Sequence, residues 1–191
     1  MSGRFLIVNS AEPGITEFVR PIEEILEGRG TGFQTIEYSE TLKTDIYTFS
    51  GVIISGSPRG NDIVDHHLPY FQWIETAGVP VLGICAGHHI LGRLYGSEIL
   101  RSVEKEVGDF PVFIDHEDPI FSGFPQRFTV AQNHHDSITM PEGFKRLAYS
   151  DTCRVEGIRH NQLPLYSFQF HPEIHNPGLL LNFVDIAEKP D

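Results

Sequence analysis

The first half of the chain alternates short apolar runs with segments whose apolar residues recur at helical spacing. Residues 5–9 (FLIVN) form a run rich in β-formers, and a turn at 11–14 follows. Residues 16–27 then place Phe18, Val19, Ile22, Ile25 and Leu26 on one helical face. Strands are predicted at 33–38, 51–55 and 79–84, the second running into the turn-rich Gly56-Ser57-Pro58-Arg59-Gly60. Helices are predicted at 67–77 and 86–95, the latter starting directly off a strand. The second half changes character. Strand-like segments at 97–103, 110–114, 127–132, 144–150, 154–159 and 165–170 have short connections, and a helix over 179–188 closes the chain.

Apolar strands alternating with amphipathic helices predict an α/β fold, an open, mostly parallel twisted sheet with helices on both faces. The short connections of the C-terminal half predict an antiparallel portion at one side of that sheet. No repeat, low-complexity tract or linker divides the 191 residues, so a single domain over 1–191 is expected.

Charge changes the picture in one respect. With 26 acidic against 14 basic residues the net charge is −12, which repels phosphate backbones and anionic membranes. Neither nucleic acid nor a membrane is expected as a partner. No run approaches the roughly 20 apolar residues that cross a bilayer. The N-terminal apolar run is too short for a secretory signal, and two cysteines without a CxxC make no disulfide framework. The expected location is the reducing cytoplasm.

The most informative segment is Gly83-Ile84-Cys85-Ala86-Gly87, a G-x-C-x-G turn from strand to helix. Such a turn pushes its central residue out of the sheet, and flanking glycines permit the tight backbone. The positive end of the following helix favours a thiolate, and the Ala86 N–H points toward a developing oxyanion. Taken alone, the pentapeptide fits a buried apolar cysteine as well as a nucleophile. The weight comes from Ser167-Phe168-Gln169-Phe170-His171-Pro172-Glu173, a strand ending in His-Pro-Glu. Cysteine nucleophiles need an imidazole to take and return a proton, and a third group to fix its tautomer.

GICAGHH followed by FQFHPE resembles the class I (triad) glutamine amidotransferase family, and the likeness runs through nearly the whole chain. It implies that Cys85 attacks the glutamine side-chain amide to form a thioester. His171 would be the general base and acid, and Glu173 the group orienting it. Residues 53–58 (IISGSP) resemble the family's oxyanion loop, commonly S-G-G-P, so Gly56 would contact substrate and the Ser57 and Ala86 N–H groups would hold the oxyanion. Serine stands where glycine is usual, and a φ above zero there would strain it. Four residues after the cysteine the family often has glutamine, and here His89 takes that substrate position. The likeness assigns substrate contacts to His135 and Asp136 within 130–136 (VAQNHHD). A metal site at His134, His135 and Asp136 is not expected, because adjacent residues diverge and ligands must converge. His88 is expected to pack, and Cys153 to be structural.

Residues 141–160 resemble the amidotransferase component of GMP synthase, although that branch usually continues H-P-E-V-x-H-T, whereas this chain reads His171-Pro172-Glu173-Ile174-His175-Asn176. No G-x-x-x-x-G-K-[ST] phosphate loop is present. The likeness therefore implies no cofactor in this chain. ATP and Mg would bind a separate ATP-dependent synthetase polypeptide of the GMP synthase type, and glutamine would be the substrate here.

Overall fold

The computed structural model describes residues 3–59 and 64–189. In chain order the strands and helices are β1 (Arg4–Asn9), α1 (Arg20–Arg29), β2 (Gly32–Glu37), β3 (Gly51–Ile54), α2 (Val64–Phe71), α3 (Ile74–Ala77), β4 (Val81–Ile84) and α4 (Ala86–Leu94). There follow β5 (Ile99–Leu100), β6 (Glu106–Ile114), β7 (Arg127–His134), β8 (Ser137–Ile138), β9 (Phe144–Tyr149), β10 (Gly157–His160), β11 (Leu165–Phe168), α5 (Pro172–His175) and α6 (Pro177–Glu188). A nine-stranded sheet runs β2-β1-β3-β4-β11-β10-β9-β6-β7. From β2 to β11 every pairing is parallel, and from β11 to β7 every pairing is antiparallel. The expected α/β architecture with an antiparallel C-terminal portion is what forms.

Strand periodicity splits the core in two. Phe5, Ile7, Ile53, Leu82 and Ile84 face α1 and α6, packing with Ile22, Leu26, Leu180 and Phe183. Their neighbours Leu6, Val8, Val52, Ile54 and Val81 pack on the other face with Phe71, Ile74, Ile90 and Leu91 of α2, α3 and α4. Strands buried on both faces must be apolar at every position, which is why they read as continuous runs.

Several boundaries differ from expectation, each for a local reason. The helix expected from residue 16 starts at Arg20, because Pro21 in its first turn has no N–H and would clash with the carbonyl of a preceding turn. Residues 16–19 instead make a turn, with the Val19 and Arg20 N–H groups donating to the Thr16 carbonyl. The helix expected over 67–77 starts earlier and breaks at 72–73. The Tyr70 carbonyl, which a continuing helix would use, accepts from the Trp73 indole at 3.0 Å and the Thr41 hydroxyl at 2.7 Å. Of the strand expected over 97–103 only β5 pairs, with β8, because Ser102 takes φ 55° and ends it. Gly60, the end of the turn expected at 56–60, lies outside the described residues.

Candidate active site

The parallel order β3-β4-β11 sets three chain segments side by side at the carboxyl edge of the sheet, where open α/β folds hold their ligands. β3 delivers Gly56 and Ser57, β4 delivers Cys85, and β11 runs on to His171. The register pairs Ile84 with Phe168, and the Cys85 N–H donates to the Phe168 carbonyl at 2.8 Å. Three residues further on, the His171 N–H donates to the Ala131 carbonyl at 2.9 Å, which ties this strand extension to β7.

Cys85 is held at φ 49°, ψ −99°, one of two non-glycine residues with positive φ among those described. Such a conformation costs on the order of 1–3 kcal/mol and needs a surrounding structure that enforces it. Gly83 and Gly87 provide the enforcement. A Cβ on Gly83 would sit 2.6 Å from the Gly87 carbonyl oxygen, and one on Gly87 would sit 2.7 Å from the Ile54 carbonyl oxygen. The G-x-C-x-G pattern is thus a steric requirement for bringing α4 this close to β3 and β4.

His171 is buried and hydrogen-bonded on both sides. Its Nδ1–H donates to Glu173 Oε1 at 2.7 Å, and its other side meets the Cys85 thiol. Burial pulls the imidazole pKa down, but the sulfur of Cys85 and the Glu173 carboxylate outweigh it and hold the value well above the ordinary one. Pro172 opens the short helix α5, so histidine and glutamate sit on one rigid turn. The space is tight. A Cβ on Gly56 would lie 3.0 Å from His171 Cε1 and 3.6 Å from Cys85 Cβ.

A cavity of about 450 Å³ opens over these groups, lined among others by Ser57, Cys85, His89, His135, Asp136 and His171. Ala86 is the first residue of α4, directly beside the cysteine. The structure therefore gathers the expected residues at one place. Ser57 lies outside the positive-φ region, so the strain expected from serine at this position is absent. Asp136 accepts from the Ser102 N–H at 2.8 Å and faces Arg101 Nη1 at 3.6 Å.

His89 is buried against Gln169, its Nε2–H donating to the amide oxygen at 2.6 Å. Burial pushes its pKa down to about 4, so the ring is neutral and its Nδ1 is a bare acceptor. His88 packs as expected, with Nε2–H donating to the Val155 carbonyl and Nδ1 accepting from the Ser167 hydroxyl. Cys153 is wholly buried. Asn176, which departs from the GMP synthase pattern, donates to the Thr129 carbonyl at 3.2 Å and fastens the His-Pro-Glu turn to β7.

Sequence reasoning gave no role at the site to Phe18, Arg59, Arg101 or His134, which also line the cavity. Arg101 puts a cationic group beside Asp136, a wall suited to a zwitterion, while Arg59 pairs with Glu12. A signal for Arg101 existed only in the adjacent Ser102, whose positive φ cannot be read from residue type. His134 and His135 do diverge, as adjacent residues in a strand must. His135 is exposed at the cavity, while His134 turns into the interior.

An open α/β sheet with a cysteine elbow, a His-x-Glu turn on the next strand and a cavity between them is the framework of class I glutamine amidotransferases. The chain belongs to that family. The family model Glutamine amidotransferase class-I matches residues 16–178. Among curated relatives, the glutamine-hydrolyzing GMP synthase subunit of Methanocaldococcus jannaschii is 37% identical over 165 residues, 82% of this chain and 80% of that protein. The corresponding protein of Methanococcus maripaludis is 33% identical over 174 residues, 87% of this chain and 90% of that protein. A crystal structure of a protein from Thermoplasma acidophilum superposes with TM-score 0.88 at 26% identity. That match covers 98% of this chain and 94% of the other. Among the described residues no helix is long and apolar enough to cross a membrane.

Proposed function

We propose that this chain hydrolyses the side-chain amide of glutamine and passes the ammonia to a separate ATP-dependent synthetase that makes GMP from XMP. The observation that carries the chemistry is His171, buried between the Cys85 thiol and Glu173. His171 takes the Cys85 proton, and the thiolate sulfur attacks the amide carbon. The carbonyl oxygen becomes an oxyanion, accepting from the backbone N–H groups of Ser57 and Ala86. Collapse breaks the C–N bond as His171 returns its proton to nitrogen, releasing ammonia and leaving a γ-glutamyl thioester. Water, deprotonated by His171, then cleaves the thioester to glutamate and restores the thiol. Glu173 holds the imidazole with Nδ1–H outward from the reacting atoms throughout. Gly56, His89, His135 and Asp136 contact the substrate, with Asp136 taking its ammonium and Arg101 its carboxylate.

Support for the acceptor comes from the relatives named as glutamine-hydrolyzing GMP synthase subunits. No cofactor is required in this chain, and ATP with Mg belongs to the partner synthetase. Two buried thiols without a disulfide suit a cytoplasmic setting. The test is ammonia release from glutamine by wild type and Cys85→Ser, each alone and with a GMP synthetase, XMP and ATP. Release that depends on Cys85 and rises with the synthetase supports the whole reading. Release without coupling points to a stand-alone amide hydrolase, and no release in any condition overturns the proposal.

A further inference from the structure

Behind the cavity wall, β7 and the link between β9 and β10 bring three unlike ligand groups together. One ligand atom from each of His134, Cys153 and Glu156 lies within 4.8 Å of the others, and all three side chains are buried. His134 Nδ1–H donates to the Asp136 carbonyl at 3.0 Å, which turns Nε2 toward the buried carboxyls of Glu106 and Glu156. That Nε2 and Glu156 Oε2 have no hydrogen-bond partner among the described residues. Nε2 stands 3.6 Å from Glu106 Oε2 and 4.0 Å from Glu156 Oε1. Both gaps are longer than hydrogen bonds.

The charges point the same way. Glu106 and Glu156 are wholly buried, and among the described residues no lysine or arginine pairs with either. The Gln132 amide donates to both carboxyls, at 2.8 Å and 2.7 Å, and the Ser150 hydroxyl to Glu106. A dication would give these two buried carboxyls the positive partner that no described lysine or arginine supplies.

We propose that His134, Cys153 and Glu156 bind one divalent transition-metal ion of the zinc class. One nitrogen, one sulfur and one carboxylate oxygen form a borderline-soft donor set that favours zinc or cobalt over magnesium or calcium. The ion would sit behind the cavity wall that His134 helps to line. As the bonds to sulfur and carboxylate form, the thiol proton and the proton on the Glu156 carboxyl leave to solvent. The Asp136 carbonyl fixes the imidazole tautomer from behind, as outer-shell partners of metal-bound histidines do. The ion would then tie the cavity wall at 133–136 to the β9–β10 link.

The site does not depend on the reaction proposed above, and its test does not read activity. The full chain, without a histidine tag, is purified as Cys85→Ser, so that Cys153 is its only thiol. Elemental analysis after growth with zinc should give about one equivalent per chain. Cobalt titration should give a thiolate-to-cobalt charge-transfer band and tetrahedral visible bands that saturate at one equivalent. Further change of Cys153→Ala should remove the charge-transfer band, and Glu156→Gln should weaken binding by at least about tenfold. A metal-free protein showing no charge-transfer band with cobalt overturns the proposal, whether or not the further variants fold. A band that persists in Cys153→Ala overturns it too.

Discussion

His171 Nδ1 lies 2.7 Å from Glu173 Oε1, and the two residues are joined by one proline. Proline at the start of α5 fixes the backbone between them, so the pair is positioned by a local turn and needs no long-range packing to align. The long-range problem is bringing this rigid unit to Cys85, and the β4–β11 pairing solves it.

Glu173→Gln keeps the length of the side chain and removes its charge. The imidazole loses part of what holds its pKa up and the acceptor that fixes its tautomer. Glutaminase kcat should fall by about 10³-fold or more. The limb of the pH–kcat/KM profile that reports His171 should move to lower pH. An unshifted limb with reduced rate would assign Glu173 to folding alone.

Stability should carry the same signature. The folded-state pKa of His171 is raised above its unfolded value, with the Cys85 sulfur a main cause. A raised histidine pKa contributes stability that is fully present below the unfolded value, near 6.5, and is lost as pH rises through the folded value. Cys85→Ala removes that contribution. The difference in Tm between wild type and Cys85→Ala should therefore shrink toward alkaline pH, as scanning calorimetry across pH 5–9 would read. A difference that is constant with pH would sink this account.

The parallel half of the fold was legible because strands buried on both faces are apolar at each position, as Leu6, Ile7, Val8 and Val52, Ile53, Ile54 are. Cys85 and His171 were legible because their turns impose residue types, glycine at 83 and 87 and proline at 172. Their adjacency was not derivable from spacing. The antiparallel excursion from β5 to β10 lies between them in sequence, and nothing local states that β11 returns beside β4. The family resemblance supplied that link. Hidden most thoroughly were Glu106, His134 and Glu156, since charged residues in a sequence read as surface and these become interior only through strand pairing.

Gly83→Ala tests the steric reading of the elbow. Its Cβ would meet the Gly87 carbonyl oxygen at 2.6 Å and the His88 nitrogen at 3.1 Å, both backbone atoms that cannot rotate away. α4 must shift from β4, which moves Cys85 from His171. Urea unfolding should show a loss of about 1–3 kcal/mol, typical of overpacking. Glutaminase activity should fall far more than the folded fraction does. Activity that tracks the folded fraction would mean the elbow tolerates the shift.

His89→Gln places the family's usual residue beside Gln169, and two consequences separate its local effects. Wild-type His89 is buried and neutral, with a folded pKa of about 4 against an unfolded value near 6.5. Between those values the unfolded chain binds a proton that the folded chain refuses, so stability drops as pH falls from 6.5 to 4. By linkage the loss reaches about 3 kcal/mol at the lower end. Glutamine does not titrate, so the variant should lose less stability than wild type over that window, with equal behaviour above pH 7. The second consequence concerns substrate. His89 has its Nε2–H committed to Gln169 and a buried, unpartnered Nδ1, whereas a glutamine amide offers both an acceptor and a donor. If His89 contacts glutamine, KM should change in His89→Gln while kcat for bound substrate stays within a few-fold, roughly the range of one hydrogen bond. Unchanged KM with reduced acid sensitivity would place His89 in packing alone. A kcat collapse would mean that the change reaches the Cys85 elbow through the first turn of α4, whose His89 N–H donates to the Cys85 carbonyl at 3.1 Å.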